Sequence, residues 1–321
     1  MPKRTFIFDS DGGVDDAQAL IMLVANGHAP DLITTVFGNV GRDQATTNLL
    51  AVTAHLGVSI PTHRGADRPL TQDIIDAKYV HGDDGLGGAP RPATQDRPAS
   101  DDAIGVLIRT FNDAAAKGGK ADILMIGPLT NLALALRLDP GIVRGIGRLT
   151  IMGGTVYGRG NTTPAAEFNI YADPEAAQIV LTAEIETIIV PWEPCTTHVM
   201  KQTAVEALFE RIPAGVVRDF SQALVRHTSG LAYNRGRPAD MRYVDPLAAA
   251  VVIDPSMITK STLASSSVAL APGITRGMTL VDPSGRLGTP KITFVEEVDI
   301  DKVDALYAVS VAYSPTTKQT N

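Results

Sequence analysis

Short apolar runs alternate with longer amphipathic runs over the first two thirds of the chain. The apolar runs TFIF, LITTVF, ADILMIG, RLTIMGG and TIIVPW are continuous, without intervening polar positions. Strands of a mostly parallel sheet have this pattern, because helices cover both of its faces. The run that begins near Asp15 instead spaces Ala19, Leu20, Leu23 and Val24 along one helical face, with Gly27 as a stop. The pattern predicts an α/β fold with a mostly parallel central sheet flanked by helices.

The last third of the chain departs from this alternation. A helical stretch near 203–230 leads through a polar loop to a helix that starts at Asp245. Three strand-like segments and a final helix follow, near 264–271, 276–282, 290–296 and 301–312. No linker and no internal repeat divides the chain, so we expect extra C-terminal helices and strands added to a single domain over residues 1–321.

Two long polar stretches interrupt the elements. Residues 65–102 are rich in Pro, Gly and Asp and contain HGDDGLGGAP, and residues 155–172 form a second long connection. Connections of this length in a compact domain usually carry function. We therefore expect both to lie near a site.

Composition and charge restrict the class of protein. Of the 321 residues 44% are hydrophobic and 20% are charged, which argues against extensive disorder. The net charge of −7 argues against a surface that coats nucleic acid. The one cysteine, Cys195, excludes an internal disulfide and fits a reducing compartment. With no leader-like start and no apolar run of roughly 18 residues, these features predict a cytoplasmic protein without a membrane or nucleic-acid partner.

Four aspartates crowd the end of the first predicted strand, in the stretch DSDGGVDD: Asp9, Asp11, Asp15 and Asp16. Ligands of open α/β sheets collect beyond the carboxyl ends of the strands. Gly12 and Gly13 permit a sharp turn that brings the second pair to the start of the following helix, where one carboxylate alone would serve as a cap. Four converging carboxylates repel one another, so a cation with a preference for oxygen ligands, calcium or magnesium, is the natural partner.

Two other classes of protein begin with a similar stretch. An EF-hand loop counted from Asp9 would need glycine where Val14 stands and glutamate where Leu20 stands, so that class is excluded. A phosphatase of the haloacid dehalogenase type would use Asp9 as nucleophile and Asp11 as acid and base. That alternative stays open for this segment alone, although its chemistry does not require Asp15 and Asp16, and no acidic pair follows a lysine motif downstream.

The segment DSDGGVDDAQAL resembles the signature of the nucleoside hydrolases of the inosine–uridine-preferring type. Six further segments resemble the other blocks of that family, in the same order: VFGN at 36–39, VHGDDGLG at 80–87, GPLTNLALAL at 127–136, MGG at 152–154, AEFNIYADPEAA at 166–177 and VDPLAAA at 244–250. The resemblance covers about residues 4–255. It implies a nucleoside hydrolase-like, Rossmann-like fold.

The resemblance also implies a calcium site. Its side-chain ligands would be Asp11, Asp16 and Asp245, and its backbone carbonyl ligand would be Ile126. Family members often have threonine at the last position, but a carbonyl ligand does not depend on the side chain.

A ribose pocket follows from the same resemblance. Asp9 would support the metal loop from behind, and His81 would lie in the loop that closes over the site. The positions that hold the ribose hydroxyls or line the sugar pocket are Asp15, Asn39, Met152, Asn161, Glu167 and Asn169.

The implied activity is calcium-dependent hydrolysis of the N-glycosidic bond of ribonucleosides to free base and ribose. The bond breaks through an oxocarbenium-like sugar cation, and Asp11 would activate a metal-bound water as general base. The resemblance further implies a homodimer or homotetramer, for which residues 207–225 offer apolar helical surface. A non-catalytic ribose-binding or nucleoside-binding protein is the other class to consider, and retention of every expected aspartate disfavours it.

One position departs from the family pattern. A histidine often precedes the last metal aspartate and protonates the leaving base, but here the residue is Val244. The sequence leaves the acid and the preferred base open. The residues considered as replacements are His227, Tyr233, Arg235, Arg242 and Tyr243. Trp192 would stack on the base or, as a lone tryptophan after an apolar strand more often does, pack in the core.

Overall fold

The computed structural model describes residues 4–92, 94 and 96–315. Its strands are β1 Phe6–Ser10, β2 Leu32–Thr35, β3 Thr62–Arg64, β4 Ala121–Met125, β5 Ile146–Met152, β6 Glu186–Val190, β7 Val199–Met200, β8 Met241–Arg242, β9 Ile258–Val268, β10 Thr279–Asp282 and β11 Lys291–Val298. Its helices are α1 Val14–Ala25, α2 Arg42–His55, α3 Lys78–His81, α4 Ala103–Ala116, α5 Thr130–Leu138, α6 Phe168–Ala172, α7 Pro174–Leu181, α8 Trp192–Thr197, α9 Gln202–Arg211, α10 Val216–Asn234, α11 Asp245–Ile253 and α12 Ile300–Ala312.

Nine strands form one sheet in the order β10-β9-β11-β6-β5-β4-β1-β2-β3. Every neighbouring pair from β3 to β11 is parallel, whereas β9 runs antiparallel to both of its neighbours. The predicted mostly parallel sheet with helices on its faces is confirmed, and the added C-terminal strands extend one of its edges.

The apolar runs of the strands are continuous because helices cover both faces of the sheet. Ile7 and Phe8 are both fully buried, yet they join different apolar clusters, since successive side chains of a strand point to opposite faces. Ile123 and Leu124 in β4 divide in the same way. Two core layers therefore lie on either side of the sheet and hold β1 and β4 rigidly between them.

The helical stretch predicted near 203–230 is two helices. The chain leaves the helical conformation at Ile212, directly before Pro213, and α10 begins at Val216. Proline disfavours a helical conformation in the residue before it and cannot donate an N–H bond. The apolar surface expected over 207–225 is largely turned inward, because Leu208, Phe209, Val217, Phe220, Leu224 and Val225 are buried within the protomer.

Other elements lie where the sequence predicted connections. The short helices α3 and α6 form within the two long polar stretches, and α4 follows the first of them. Within the described ranges, no helix has the length and apolar character needed to span a membrane.

Strand order fixes where the two halves of the sheet meet. The chain runs outward from β1 through β2 to β3, then returns to add β4, β5 and β6 on the opposite side of β1. At such a reversal the connections after the two central strands diverge and leave a crevice beyond their carboxyl ends. The aspartate stretch follows β1 directly, so it lies at this crevice.

Candidate active site

The crevice contains a cavity of about 460 Å³. Residues that follow β1, β4 and β5 line it, together with the first residue of α11 and parts of the two long polar stretches. Helix α11 packs against α1, which brings the N-terminal ends of both helices to the same place. The partial positive charge at a helix N-terminus favours carboxylates, and Asp16 and Asp245 occupy these first turns.

Both carboxylate oxygens of Asp16 accept hydrogen bonds. Its Oδ1 accepts bonds from the Ser10 hydroxyl at 2.6 Å and from the backbone N–H groups of Asp11 and Gly12 at 3.2 and 3.1 Å. Its Oδ2 accepts from Gly13 N at 2.8 Å. Gly12 makes this wrapping possible, since its φ of +69° suits glycine and a Cβ there would overlap Ala45. Asp16 therefore caps α1 as well as contributing charge to the cavity.

Asn39 connects two of the buried carboxylates. Its side-chain Nδ2 donates to Asp11 Oδ1 at 2.9 Å and to Asp16 Oδ2 at 3.0 Å, and its backbone N–H donates to Asp11 Oδ2 at 2.7 Å. Asp11 is fully buried beneath the cavity wall and is not itself among the lining residues. Burial first, and then the charge of Asp16, raises the pKa of Asp11 well above its usual range.

The residues present fit an oxygen-liganded cation. One carboxylate oxygen from each of Asp15, Asp16 and Asp245 lies within 4.8 Å of the others. Asp15 Oδ1 is buried without a hydrogen-bond partner, and burial together with the Asp16 charge raises the pKa of Asp15 to about 7. Burial and the three neighbouring aspartates also raise the pKa of Asp245. Such repulsion and an unpartnered oxygen are what a divalent cation would relieve. Ile126 also lines the cavity.

Asp9 lies on the core side of this cluster. Its Oδ2 accepts from the Thr34 hydroxyl at 2.5 Å and from Asn131 Nδ2 at 2.7 Å. Burial raises its pKa to about 7. Asn131 in turn accepts from Ala66 N at 2.8 Å and donates to Thr35 O at 3.1 Å. Asp9 thus connects the ends of β1 and β2 with the start of α5, and it does not line the cavity.

Glu167 and Asn169 form the wall opposite the aspartates. The Glu167 carboxylate accepts from the backbone N–H groups of Gly154 and Asn169 at 2.8 and 2.9 Å, and burial raises its pKa to about 7. Asn169 Nδ2 donates to the carbonyl oxygens of Ile126 and Met152 at 3.0 and 3.1 Å. Asn161, which caps the same turn through Phe168 N at 2.8 Å, completes this polar wall.

His81 lies at the end of α3 and closes one side of the cavity. Its Nδ1 accepts from Val14 N at 3.1 Å and lies 3.6 Å from Asp15 Oδ1. Burial lowers its pKa to about 4, which leaves it neutral with its hydrogen on Nε2. His227 of α10 is 2.8 Å from Val80 O through Nε2, so it holds α3 from outside and does not line this cavity.

A second, narrower cavity of about 150 Å³ continues from the first between α3 and the 228–244 region. Both cavities are lined by Trp192, Arg235, Arg242 and Val244. Trp192 is only partly buried, so it packs on the core with one part and lines the cavity with the rest.

Two of the residues considered at the leaving base are unsuited to that place. Tyr243 is fully buried and donates its hydroxyl to Asp304 at 2.7 Å, and Tyr233 is 77% exposed and lines neither cavity. Their nearness to Val244 in sequence therefore does not carry over to the cavity.

Several lining residues were not found from the sequence. Thr162 contributes a buried hydroxyl without a hydrogen-bond partner, and Gln18 projects from α1 into the narrower cavity. Arg237 lines both cavities. In the sequence, these residues are distinguished only by lying in or beside the predicted site segments. Their sequence neighbours lie there too, so this position alone could not have identified them.

Fold and site together define a class of protein: an enzyme of α/β architecture whose acidic crevice, at the reversal of strand order, suits a cation and a polyhydroxylated ligand. A family model described as inosine-uridine preferring nucleoside hydrolase matches residues 6–305, and the chain belongs to this family. It is 35% identical over 303 residues to the pyrimidine-specific ribonucleoside hydrolase RihB of Escherichia coli strain K12, and this match covers 92% of each of the two chains.

Solved structures agree with this assignment. A plant nucleoside hydrolase, the PpNRh1 enzyme, superposes with a TM-score of 0.88 at 27% sequence identity, over 98% of this chain and 100% of the solved chain. An inosine-guanosine nucleoside hydrolase superposes with a TM-score of 0.86 at 26% sequence identity, over 97% of this chain and 99% of the solved chain. The chain is a ribonucleoside hydrolase, and neither the phosphatase alternative nor the non-catalytic binding protein is favoured.

Proposed function

We propose that this enzyme hydrolyses ribonucleosides with calcium as its cofactor and Asp11 as its general base. The observation that carries the proposal is that one carboxylate oxygen from each of Asp15, Asp16 and Asp245 lies within 4.8 Å of the others, while Asp15 Oδ1 is buried without a hydrogen-bond partner. The ligand set would be Asp11, Asp16, Asp245 and Ile126 O, and Asp15 beside them would face the ribose. Among the described residues the side chains grouped at this place are all aspartates, and the nearby His81 Nδ1 already accepts from Val14 N. Oxygen donors favour a hard cation, and calcium accepts mixed carboxylate and carbonyl donors better than magnesium does.

The ribose would lie between the aspartates and the Glu167–Asn169 wall. Asp15 and Asn39 would hold hydroxyls from one side, Glu167, Asn169 and Asn161 from the other, and Met152 would form the floor. Held in this way, the anomeric carbon faces a site rich in negative charge, which stabilises the positive sugar of the transition state.

Water would attack that carbon as the bond to the base breaks. Asp11 would take the proton of the attacking water, because a carboxylate beside the bound cation can accept it as a general base. A bound calcium would lower the pKa of water in the site and hold it in position. Asn39 fixes the orientation of the Asp11 carboxylate through both of its oxygens.

A reducing-sugar assay over a panel of purine and pyrimidine nucleosides tests the activity and its base preference together. Removal of calcium by a chelator should abolish ribose release, and calcium should restore it better than magnesium. Asp11→Ala should lower kcat by at least about a hundredfold, whereas Asp122→Ala, a matched loss of a carboxylate paired with Arg4 at the far end of the sheet, should not. Full activity of Asp11→Ala, or of the chelated enzyme, would overturn the proposal.

We further propose a homodimer or homotetramer in the cytoplasm, where nucleoside breakdown would supply bases for salvage or catabolism. The lone buried Cys195 supports a reducing compartment. Most apolar side chains of 207–225 pack inside the protomer, so an interface in this range would have Val216 as its one exposed large apolar side chain. Light scattering at micromolar protein measures the assembly, and a monomeric mass would refute it.

A further inference from the structure

Two solvent-exposed guanidinium groups border the site beside the narrower cavity. Arg237 and Arg242 line both cavities. Among the described residues, neither side chain makes a hydrogen bond or a salt bridge, and only their backbones are bonded, Arg237 N to Ala232 O and Arg242 within the β7–β8 pair. Arg235, by contrast, donates to Tyr79 O at 3.3 Å. The positive charge of Arg237 acts on Arg242, and because neither guanidinium is paired with a carboxylate, the charge of both is available to a ligand in the cavity.

Arg242 is also oriented by an aromatic ring. Its guanidinium carbon lies 5.9 Å from the centre of the Trp192 ring, within the range of a cation–π contact. The ring is partly buried and lines the same wall. A planar base placed between the ribose site and this wall would meet the tryptophan and the guanidinium edge together.

The leaving base needs stabilisation at this place. As the N-glycosidic bond breaks, its electron pair passes to the base, which carries negative charge unless a proton arrives. Val244 cannot donate a proton, and the Tyr243 hydroxyl is directed to Asp304. A guanidinium does not release its proton at ordinary pH, so an arginine here acts by charge and hydrogen bonding rather than as an acid.

We propose that Arg242, assisted by Arg237, stabilises the departing base as an anion and so replaces the proton donor that is missing at Val244. The inference deepens the proposed hydrolysis and rests on it. The bond from the sugar carbon to the base nitrogen breaks and its electron pair stays on the base. Water forms the new carbon–oxygen bond, its proton passes to Asp11, and the released base takes a proton from solvent. Negative charge around the sugar and positive charge around the base thus match the charge separation of the transition state.

Leaving groups of different acidity test this role. p-Nitrophenyl ribofuranoside releases p-nitrophenolate, which is stable as an anion without help, whereas a natural base is a poor anion. For Arg242→Gln we expect kcat on the best nucleoside of the panel to fall about a hundredfold, and kcat on the p-nitrophenyl substrate to fall by less than about threefold. Arg242→Lys, which restores the charge, should recover part of the nucleoside activity. Arg286→Gln, an exposed arginine outside both cavities, is the matched control.

Each other outcome has a distinct meaning. Equal losses on both substrates would show a structural role and overturn the inference, as would unchanged kcat on nucleosides. If His81→Ala, and not Arg242→Gln, loses activity on nucleosides but keeps it on the p-nitrophenyl substrate, the inference is overturned, and the base instead takes a proton from the His81 Nε2–H. Asp11→Ala should lose both substrates alike, so a failure of the proposed base is seen separately. Melting temperatures of all variants exclude unfolding as the cause.

Discussion

Replacing Asn39 with alanine tests whether the carboxylate cluster needs both its shared donor and a cation. The change removes the Nδ2 group that donates to Asp11 at 2.9 Å and to Asp16 at 3.0 Å, and it keeps the backbone bond to Asp11. A hydrogen bond to a charged group contributes about 1.5–3 kcal/mol, so two buried ones predict a loss of roughly 3–6 kcal/mol in the free energy of unfolding without calcium. That is a large part of the total for an ordinary domain.

Urea unfolding at pH 8, with chelator and with calcium, measures this loss. That pH lies above the pKa of about 7 to which Asp15 is raised, so Asp15 adds its charge to the cluster and repulsion is strong when no cation is present. We expect calcium to recover part of the lost stability, because a cation screens the same two carboxylates that Asn39 separates.

The matched control is Asn112→Ala. Its Nδ2 donates to Asp139 Oδ2 at 2.8 Å in a half-buried position away from the cavity. We expect a loss of about 1.5 kcal/mol there, independent of calcium, because this single bond to a carboxylate is only half-buried and lies at the low end of the range. If Asn39→Ala is no more destabilising than this control in the chelated protein, Asn39 does not hold the cluster together and the electrostatic account of the site is wrong.

Three further results are expected. Calcium should raise the melting temperature more at pH 8 than at pH 5.5, because the pKa of Asp15 is raised to about 7 and protons compete with the cation below that pH. Without calcium, the free energy of unfolding should fall as pH rises from about 4 to 7, since Asp15 then loses a proton that the folded state binds more tightly. An equal calcium-induced shift at both pH values would contradict this. Asp9→Asn should keep ribohydrolase activity within about tenfold, because Asp9 braces the loop through Thr34 and Asn131, whereas complete loss would indicate a direct chemical role. Tyr243→Phe should cost about 1–2 kcal/mol of stability through the lost bond to Asp304 and leave kcat unchanged, and a large fall in kcat would return Tyr243 to consideration as the acid.

Local sequence was sufficient to predict β1, β2, β4, β5 and β6 of the sheet and the acidic segment that follows β1, but not the short strand β3. β1, which contains Asp9, and α1, which contains Asp15, are indicated by apolar periodicity and by two glycines, all within twenty residues. The break at Pro213 and the helix Ala103–Ala116 also had local signals, in a proline and in the Asp102 cap with Leu107 and Phe111 four residues apart, although the prediction missed both.

Contacts between distant segments could not be predicted in this way. The bond from Asn131 to Asp9 joins residues 122 positions apart, and only the tertiary fold brings them together. Asp245 was placed at the site through family resemblance rather than through any local pattern. The cavity-lining position of Arg237 and the inward turn of Tyr243 depend on the path of the 235–244 segment, for which periodicity gives no information.

The packing of α11 against α1 has a consequence for the order in which the enzyme is completed. Asp15 and Asp16 are synthesised near the start of the chain and Asp245 more than two hundred residues later, yet they meet only through this contact between two helices. A nascent chain released as far as β6 contains the central strands but still lacks Asp245. Capture of the proposed calcium would therefore come late in synthesis, and the ion would stabilise only chains whose first and last site segments have already joined.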